Sequence, residues 1–334
     1  MSLRQTVQRL CSMGSGKHGP MRAIYLVPLF CVLSATEFLY PAMARGVDGN
    51  RTISVQILGS TLTLQTRSRF AGAISALTWK GQSFINSRDH GRELQSDVFF
   101  NNFGVCYNPT EAGSRANGAG NRSSSVLRAI KVRGNQLWTV TQMAFWLQPG
   151  QSSYPRVCGS HTYLHRAVNR AVLSKVVLHK HLTIGLRDLP NVLRDSLTFD
   201  VPARYRSATF EALTGYMPPR FSQAFYFHPW SMRLIPARGR RGEQPYPVIR
   251  STPDHRYAMG IYCPGLPQAD WPHAGYGSVD FPRVVKWNCV YRYRPVRPGP
   301  YHFHAYVIIG NLRQVKKTMH RLYQRCTTSG CPKS

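Results

Sequence analysis

The chain has 334 residues, 43% hydrophobic and 17% charged, a balance that supports a buried core and excludes a disordered or fibrous chain. Its 43 Lys and Arg against 14 Asp and Glu give a formal net charge of +29, but the basic residues are scattered. The one dense run is ARGRRG at 237–242, and there is no recognition-helix, zinc-finger or RNA-binding motif, so nucleic acid is not an expected partner. The remaining readings of the charge are attraction to an anionic envelope or polymer and a basic bias of the whole proteome.

In chain order, residues 1–20 show no structural or targeting pattern, and Met21 reads as the start. From there Arg22, the apolar run AIYLVPLFCVLSA and the small residues Ala42 and Ala44 at −3 and −1 have the layout of a secretory signal peptide cleaved after Ala44. The run contains Pro28 and ends before Glu37, which is short for a bilayer span. An N-terminal anchor is the competing reading; with cleavage, the mature chain has no integral span. A chain from Arg45 keeps 39 basic and 13 acidic residues, a net charge of +26, and reads as a single domain over 45–334.

Alternation dominates from here on. ISVQI and TLTLQT form a predicted hairpin around Gly59-Ser60, and AISALTWKGQSFI forms a second around Lys80-Gly81-Gln82. KHLTIGL alternates Leu182, Ile184 and Leu186. VVKWNCVYRY sets Val285, Trp287, Cys289, Tyr291 and Tyr293 on one face. YHFHAYVIIG sets Tyr301, Phe303, Ala305, Val307 and Ile309 on one face, with His302, His304 and Tyr306 on the other. These two histidines suit a solvated or aromatic face, or a metal that lacks a visible third ligand. One helix is expected over about 311–326, with Leu312, Val315, Met319 and Leu322 on one stripe and Asn311 as its cap. Residues 110–125, 147–171 and 235–247 read as long loops, the places where a β-protein often carries its function. The expected fold class is all-β, a large antiparallel two-layer sandwich with one C-terminal helix.

Six cysteines follow Ala44: Cys106, Cys158, Cys263, Cys289, Cys326 and Cys331. An even number in an exported chain points to disulfides. Their pairing stays open, with Cys326 and Cys331 close enough in sequence for a local clasp. No CxxC, GxSxG, HExxH, GxxxxGK[ST] or dinucleotide fingerprint is present, so neither metal nor cofactor is expected.

Four polar clusters remain. SRDHGRELQ (87–95) carries Asp89, His90, Arg92 and Glu93. NNFGVCYNPTEAG carries Asn102, Tyr107, Asn108 and Glu111. TFEALTGYMPP carries Glu211 and Tyr216. GEQPYPV, with the later QADWPHAGYG, carries Glu243, Tyr246 and His273. Carboxylates, amides and aromatic rings in this mixture suit sugars: hydroxyls take paired hydrogen bonds, and ring C–H faces stack on aromatic side chains such as Trp287. Glycosidic chemistry adds a pair of carboxylates, or a carboxylate with a histidine. His90, Glu111 and Glu211 are the catalytic candidates. Asp89, Arg92, Glu93, Asn102, Tyr107, Asn108, Tyr216, Glu243, Tyr246, His273 and Trp287 are the substrate-binding candidates. In so basic a chain each carboxylate has a bland alternative, a structural ion pair with an Arg.

The segment AGAISALTWKGQSFINSRDHGREL resembles the opening strands of galactose-mutarotase-like proteins, over about 25 residues. That superfamily includes aldose 1-epimerases and the sandwich domains of many polysaccharide hydrolases and lyases. The resemblance implies a supersandwich and a carbohydrate substrate. SHTYL (160–164) is similar to the His-Thr-Tyr segment in which epimerases keep a catalytic histidine, which would assign that role to His161. The family's following Asn is replaced here by His165, and no counterpart of its late general-base Glu is found. The expected function is an exported carbohydrate-active protein cleaving a glycosidic bond of an envelope or extracellular polysaccharide. The alternatives are a lyase acting on a uronate polymer and a non-catalytic glycan-binding envelope protein.

Overall fold

A computed structural model describes residues 47–153, 158–159, 162–237, 242–268 and 274–331. Arg45–Ser334 forms one compact unit. The expected signal peptide and its cleavage point, His161 and His273 lie outside the described residues.

The first half of this unit contains β1 (Arg51–Ile57), β2 (Ser60–Thr66), β3 (Ile74–Trp79), β4 (Gln82–Ser83), β5 (Leu94–Phe100), β6 (Pro109–Thr110), β7 (Val126–Arg133), β8 (Gln136–Phe145) and β9 (Leu173–Leu186). The second half contains β10 (Leu189–Val201), β11 (Ala208–Met217), β12 (Gln223–His228), β13 (Arg233–Pro236), β14 (Val248–Ser251), β15 (Ala258–Tyr262), β16 (Gly275–Phe281), β17 (Val284–Tyr293), β18 (Gly299–Gly310) and α1 (Leu312–Ser329). All strand pairings are antiparallel. One layer runs β1-β2-β3-β5-β11-β17-β16, with β4 paired to β3. The other runs β7-β8-β9-β10-β18-β15-β14-β12-β13. Short β6 joins them by pairing with both β5 and β8.

The alternation read from the sequence explains the layering. Leu62, Leu77, Val98, Phe210 and Tyr291 of the first layer meet Leu137, Leu178, Leu197 and Phe303 of the second in one buried cluster. A smaller cluster lies outside the second layer, where Val315, Met319 and Leu322 of α1 cover Val192, Tyr306 and Ile308. The fold is therefore an all-β sandwich with one C-terminal helix.

Two sequence expectations move slightly. The first hairpin turns on Leu58-Gly59 rather than Gly59-Ser60, both residues having positive φ (48° and 72°), and Ser60 already opens β2. The helix runs on to Ser329, three residues past its expected end, before Gly330 stops it with φ 71°. At its start Asn311 and Gln314 form a reciprocal capping box. The cysteines pair as Cys106–Cys158, Cys263–Cys289 and Cys326–Cys331. No helix among the described residues is long and apolar enough to cross a membrane.

Candidate functional site

The sequence TFEALTGYM brings ionisable and polar side chains together on one face of β11. In a regular strand Glu211 and Tyr216 would point to opposite faces. The register of β11 against β17 shifts between Glu211 and Leu213, a bulge that inserts one extra residue. Glu211 then faces Val290, Thr214 faces Asn288 and Tyr216 faces Lys286, all on the side turned away from the core. From β5, Asp97 lies directly across from Glu211. From β16, Gly277 lies across from Asn288, and a Cβ there would strike Asn288 Oδ1. A glycine is what lets the amide lie over the strand.

The resulting cluster is dense in charge. Lys286 Nζ donates to both oxygens of Glu211, at 2.9 and 2.7 Å, and Asn288 Nδ2 donates to Oε1 at 2.7 Å. Asp97, only 6% exposed, has a buried Oδ1 with no hydrogen-bond partner. Burial first, and the facing Glu211 carboxylate second, push its pKa well above the usual carboxylate range. Burial and the facing carboxylate thus favour the protonated form of Asp97, beside a Glu211 that is paired with Lys286. Burial works against the charge on Lys286, but the Glu211 carboxylate in direct contact outweighs it and holds the ammonium above the ordinary lysine value. Tyr216 is raised, mainly by burial, so its phenol stays protonated and can donate but not act as a base. The Lys286 ammonium sits 5.3 Å over the Tyr216 ring.

Tyr216 also lines a cavity of about 430 Å³, with Arg92, Arg283, Phe281, Pro282 and Val284. Along the same outer face Arg292 pairs with Glu243 at 3.2 Å. Glu211, Tyr216, Arg92 and Glu243 thus belong to this region, as does Asn108, whose amide favours the ionised form of Asp97.

The other candidates lie elsewhere. Glu111 is fully buried in a pair with Lys180 at 2.8 Å and accepts from the Ser96 amide at 3.0 Å. Asp195 shares that interior cluster, and burial lifts it to about 7. In SRDHGRELQ, His90 has Nδ1 2.8 Å from the Gly118 carbonyl and Nε2 2.6 Å from the Arg69 carbonyl. Asp89 pairs with Arg92 at 2.7 Å, and Glu93 accepts from the Gly91 amide at 2.9 Å. Burial raises Glu93 to about 8. Most of the segment is thus spent on holding its own turn, and Arg92 is the member that reaches the cavity. Trp287 is 1% exposed and packs in the core, so it offers the outer face no stacking platform. Asn102 accepts from Ser207 Oγ, Tyr246 packs on His228, and Tyr107 stacks on Phe145 in a separate cavity. His302 and His304 hydrogen-bond Thr198 and Ser196. Among the described residues no His, Cys, Asp and Glu group could hold a metal ion.

Asp97, Lys286, Asn288 and Arg283 were missed by sequence reasoning. Two signals pointed to the first three: an Asp inside the buried strand LQSDVFF, and the polar positions Lys286 and Asn288 alternating with Trp287, Cys289 and Tyr291; none pointed to Arg283.

No family model matches the chain, and no curated protein matches it. Among solved structures it is similar to the heparan sulfate lyase HepC from Pedobacter heparinus, with 8% identity over 79% of this chain and 35% of that one and a TM-score of 0.39. It is similar to an α-galactosidase from Lactobacillus brevis, with 11% identity over 84% and 42% and a TM-score of 0.43. It is also similar to the Slr1438 protein from Synechocystis sp. PCC 6803, with 10% identity over 78% and 96% and a TM-score of 0.39. The chain thus spans about a third of the lyase and two fifths of the galactosidase. These likenesses are weak, and the chemistry of the site rests on its own residues.

Proposed function

We propose that the chain is an exported carbohydrate-active protein whose outer face over β5, β11 and β17 acts on a glycosidic bond of an envelope or extracellular polysaccharide. The observation that carries this is the buried Asp97 directly across from the Lys286-paired Glu211, beside the cavity that Tyr216 lines. Burial and the facing carboxylate both favour the protonated form of Asp97, the form that can give up a proton. The dyad works as one acid–base unit. Its proton goes to the departing glycosidic oxygen as the C–O bond breaks, and the water that adds to the sugar carbon returns a proton to the dyad. Tyr216 and Arg92 supply donors to sugar hydroxyls in the cavity. Proton transfer of this kind contributes roughly 10²–10⁴-fold in rate. Three disulfides support an oxidising compartment, and hence export.

A second reading, uronate lysis, is favoured by Arg92 and Arg283, which line the cavity and suit a carboxylate-bearing sugar. The raised Tyr216 speaks against that phenol as the base that takes the proton.

The test is turnover of a panel of neutral and acidic polysaccharides, followed both as new reducing ends and as the ultraviolet absorbance of an unsaturated uronate. Reducing ends without that absorbance, lost in Asp97→Asn and Glu211→Gln, support hydrolysis. Absorbance growth supports the lyase reading. Binding without turnover of any member leaves a glycan-binding protein and overturns both reactions.

A further inference from the structure

The open end of the sandwich holds a second cavity that the outer-face chemistry does not use. It measures about 430 Å³, within the range of small-molecule sites. Its walls are rings. Tyr205 stacks on Phe100 with centroids 3.8 Å apart, and Tyr107 stacks on Phe145 at 5.1 Å. Phe100 belongs to the core face of β5, whereas Asp97 and the carboxyl dyad lie on the opposite face. The two sites therefore open on different sides of one strand.

Three further features go beyond an apolar gap. Burial and the neighbouring Tyr107, with which it shares a hydrogen bond, keep the phenol of Tyr205 protonated, a polar edge on the cavity wall. Asn169, also a wall residue, spends both amide protons on the carbonyls of Leu147 and Ala171, at 3.1 and 2.9 Å. Its buried Oδ1 has no hydrogen-bond partner, an acceptor whose desolvation nothing among the described residues offsets. Finally, Arg170 and Lys175 line the cavity, are exposed, and form no ion pair among the described residues. The walls are pinned in advance. The Cys106–Cys158 disulfide anchors the turn bearing Tyr107, and the Val168 amide bonds the Cys106 carbonyl at 3.0 Å. A wall held before binding loses little entropy on binding.

We propose that this cavity is a binding site for a single acidic sugar residue, a uronic acid, separate from the reacting face. The ring C–H faces stack on Tyr205 and Tyr107, a hydroxyl donates to Asn169 Oδ1, and the carboxylate meets Arg170 and Lys175. The choice of a sugar rests on the carbohydrate reading above; the charge and ring requirements come from the cavity alone.

The experiment is ligand-observed NMR saturation transfer and titration with glucuronate, glucose and benzoate, on the wild type, on Arg170→Gln/Lys175→Gln, on Tyr205→Phe and on Glu211→Gln. Glucuronate should bind more tightly than glucose, lose at least fivefold in affinity in the Arg170/Lys175 double variant, weaken in Tyr205→Phe, and bind Glu211→Gln as it binds wild type. The two charge replacements are on exposed residues, so folding is kept, and a melting curve checks it. Absence of glucuronate binding overturns the site. Equal affinity in the double variant places binding elsewhere and also overturns it. Benzoate bound in preference to glucuronate replaces the sugar with an aryl anion and overturns the sugar assignment. Lost turnover in Glu211→Gln with kept glucuronate binding separates this site from the dyad, so either can fail alone.

Discussion

Replacing Asp195 by Asn should stabilise the protein, and more at pH 8 than at pH 5. Asp195 sits on β10 within the core, 1% exposed, and neither carboxyl oxygen has a hydrogen-bond partner, so the amide loses no bond that the acid makes. The pKa is raised to about 7 from an ordinary 3.8, by burial above all; Lys180 lowers it and Glu111 raises it. Because the folded value lies above the unfolded one, the native state binds the extra proton. The stability this contributes is complete below the unfolded pKa and is lost as pH rises toward about 7. At pH 8 the wild type forfeits about 4 kcal/mol at this residue, and at pH 5 about 2 kcal/mol, taking about 1.4 kcal/mol per pKa unit. The Lys180–Glu111 pair balances its own charge, so the variant leaves a neutral interior. Thermal denaturation at both pH values reads the effect: a rise in Tm at pH 8 of roughly 5–10 °C, and about half that at pH 5. An equal shift at both pH values would refute the protonation reasoning. A fall in Tm at pH 8 would mean that ionised Asp195 is needed as a counter-ion to Lys180.

Removing one member of the Lys180–Glu111 pair should cost far more than removing a surface pair: Glu111→Gln is expected to lose roughly 3–5 kcal/mol in urea denaturation because it strands a buried ammonium. Replacing Cys106 and Cys158 by Ala should cost about 4 kcal/mol, against about 2 kcal/mol for Cys326 and Cys331, because their separations are 52 and 5 residues; denaturant midpoints of the two double variants compare them. Secreted material should begin at Arg45 or within a few residues on N-terminal sequencing; a mature chain keeping residues 21–44 would show that the AMA site is not cleaved.

The sequence by itself determined the local elements. Strict alternation marked KHLTIGL and VVKWNCVYRY as strands, Lys80-Gly81-Gln82 marked a turn, of which Lys80 and Gly81 take positive φ (50° and 73°) while Gln82 already opens β4, and Asn311 marked the start of α1. Period, turn chemistry and caps act over a few residues, so one chain read alone contains them. The six cysteines were legible as bonded, but not as three particular pairs. The tertiary structure alone decided which polar residues meet. Glu111 looked free in a Gly-rich segment, yet β6 bridges the layers and buries it against Lys180 of β9. His90 looked reactive, yet its ring nitrogens face the carbonyls of Gly118 and Arg69 from distant turns. Glu211 and Tyr216 share a face because of a bulge that appears only when β11 is set against β17, and Asp97 joins them because β5 is the neighbour on the other side. Strand pairing and burial are long-range choices made by the whole core, and they set whether a carboxylate keeps its charge, finds a lysine or holds a proton.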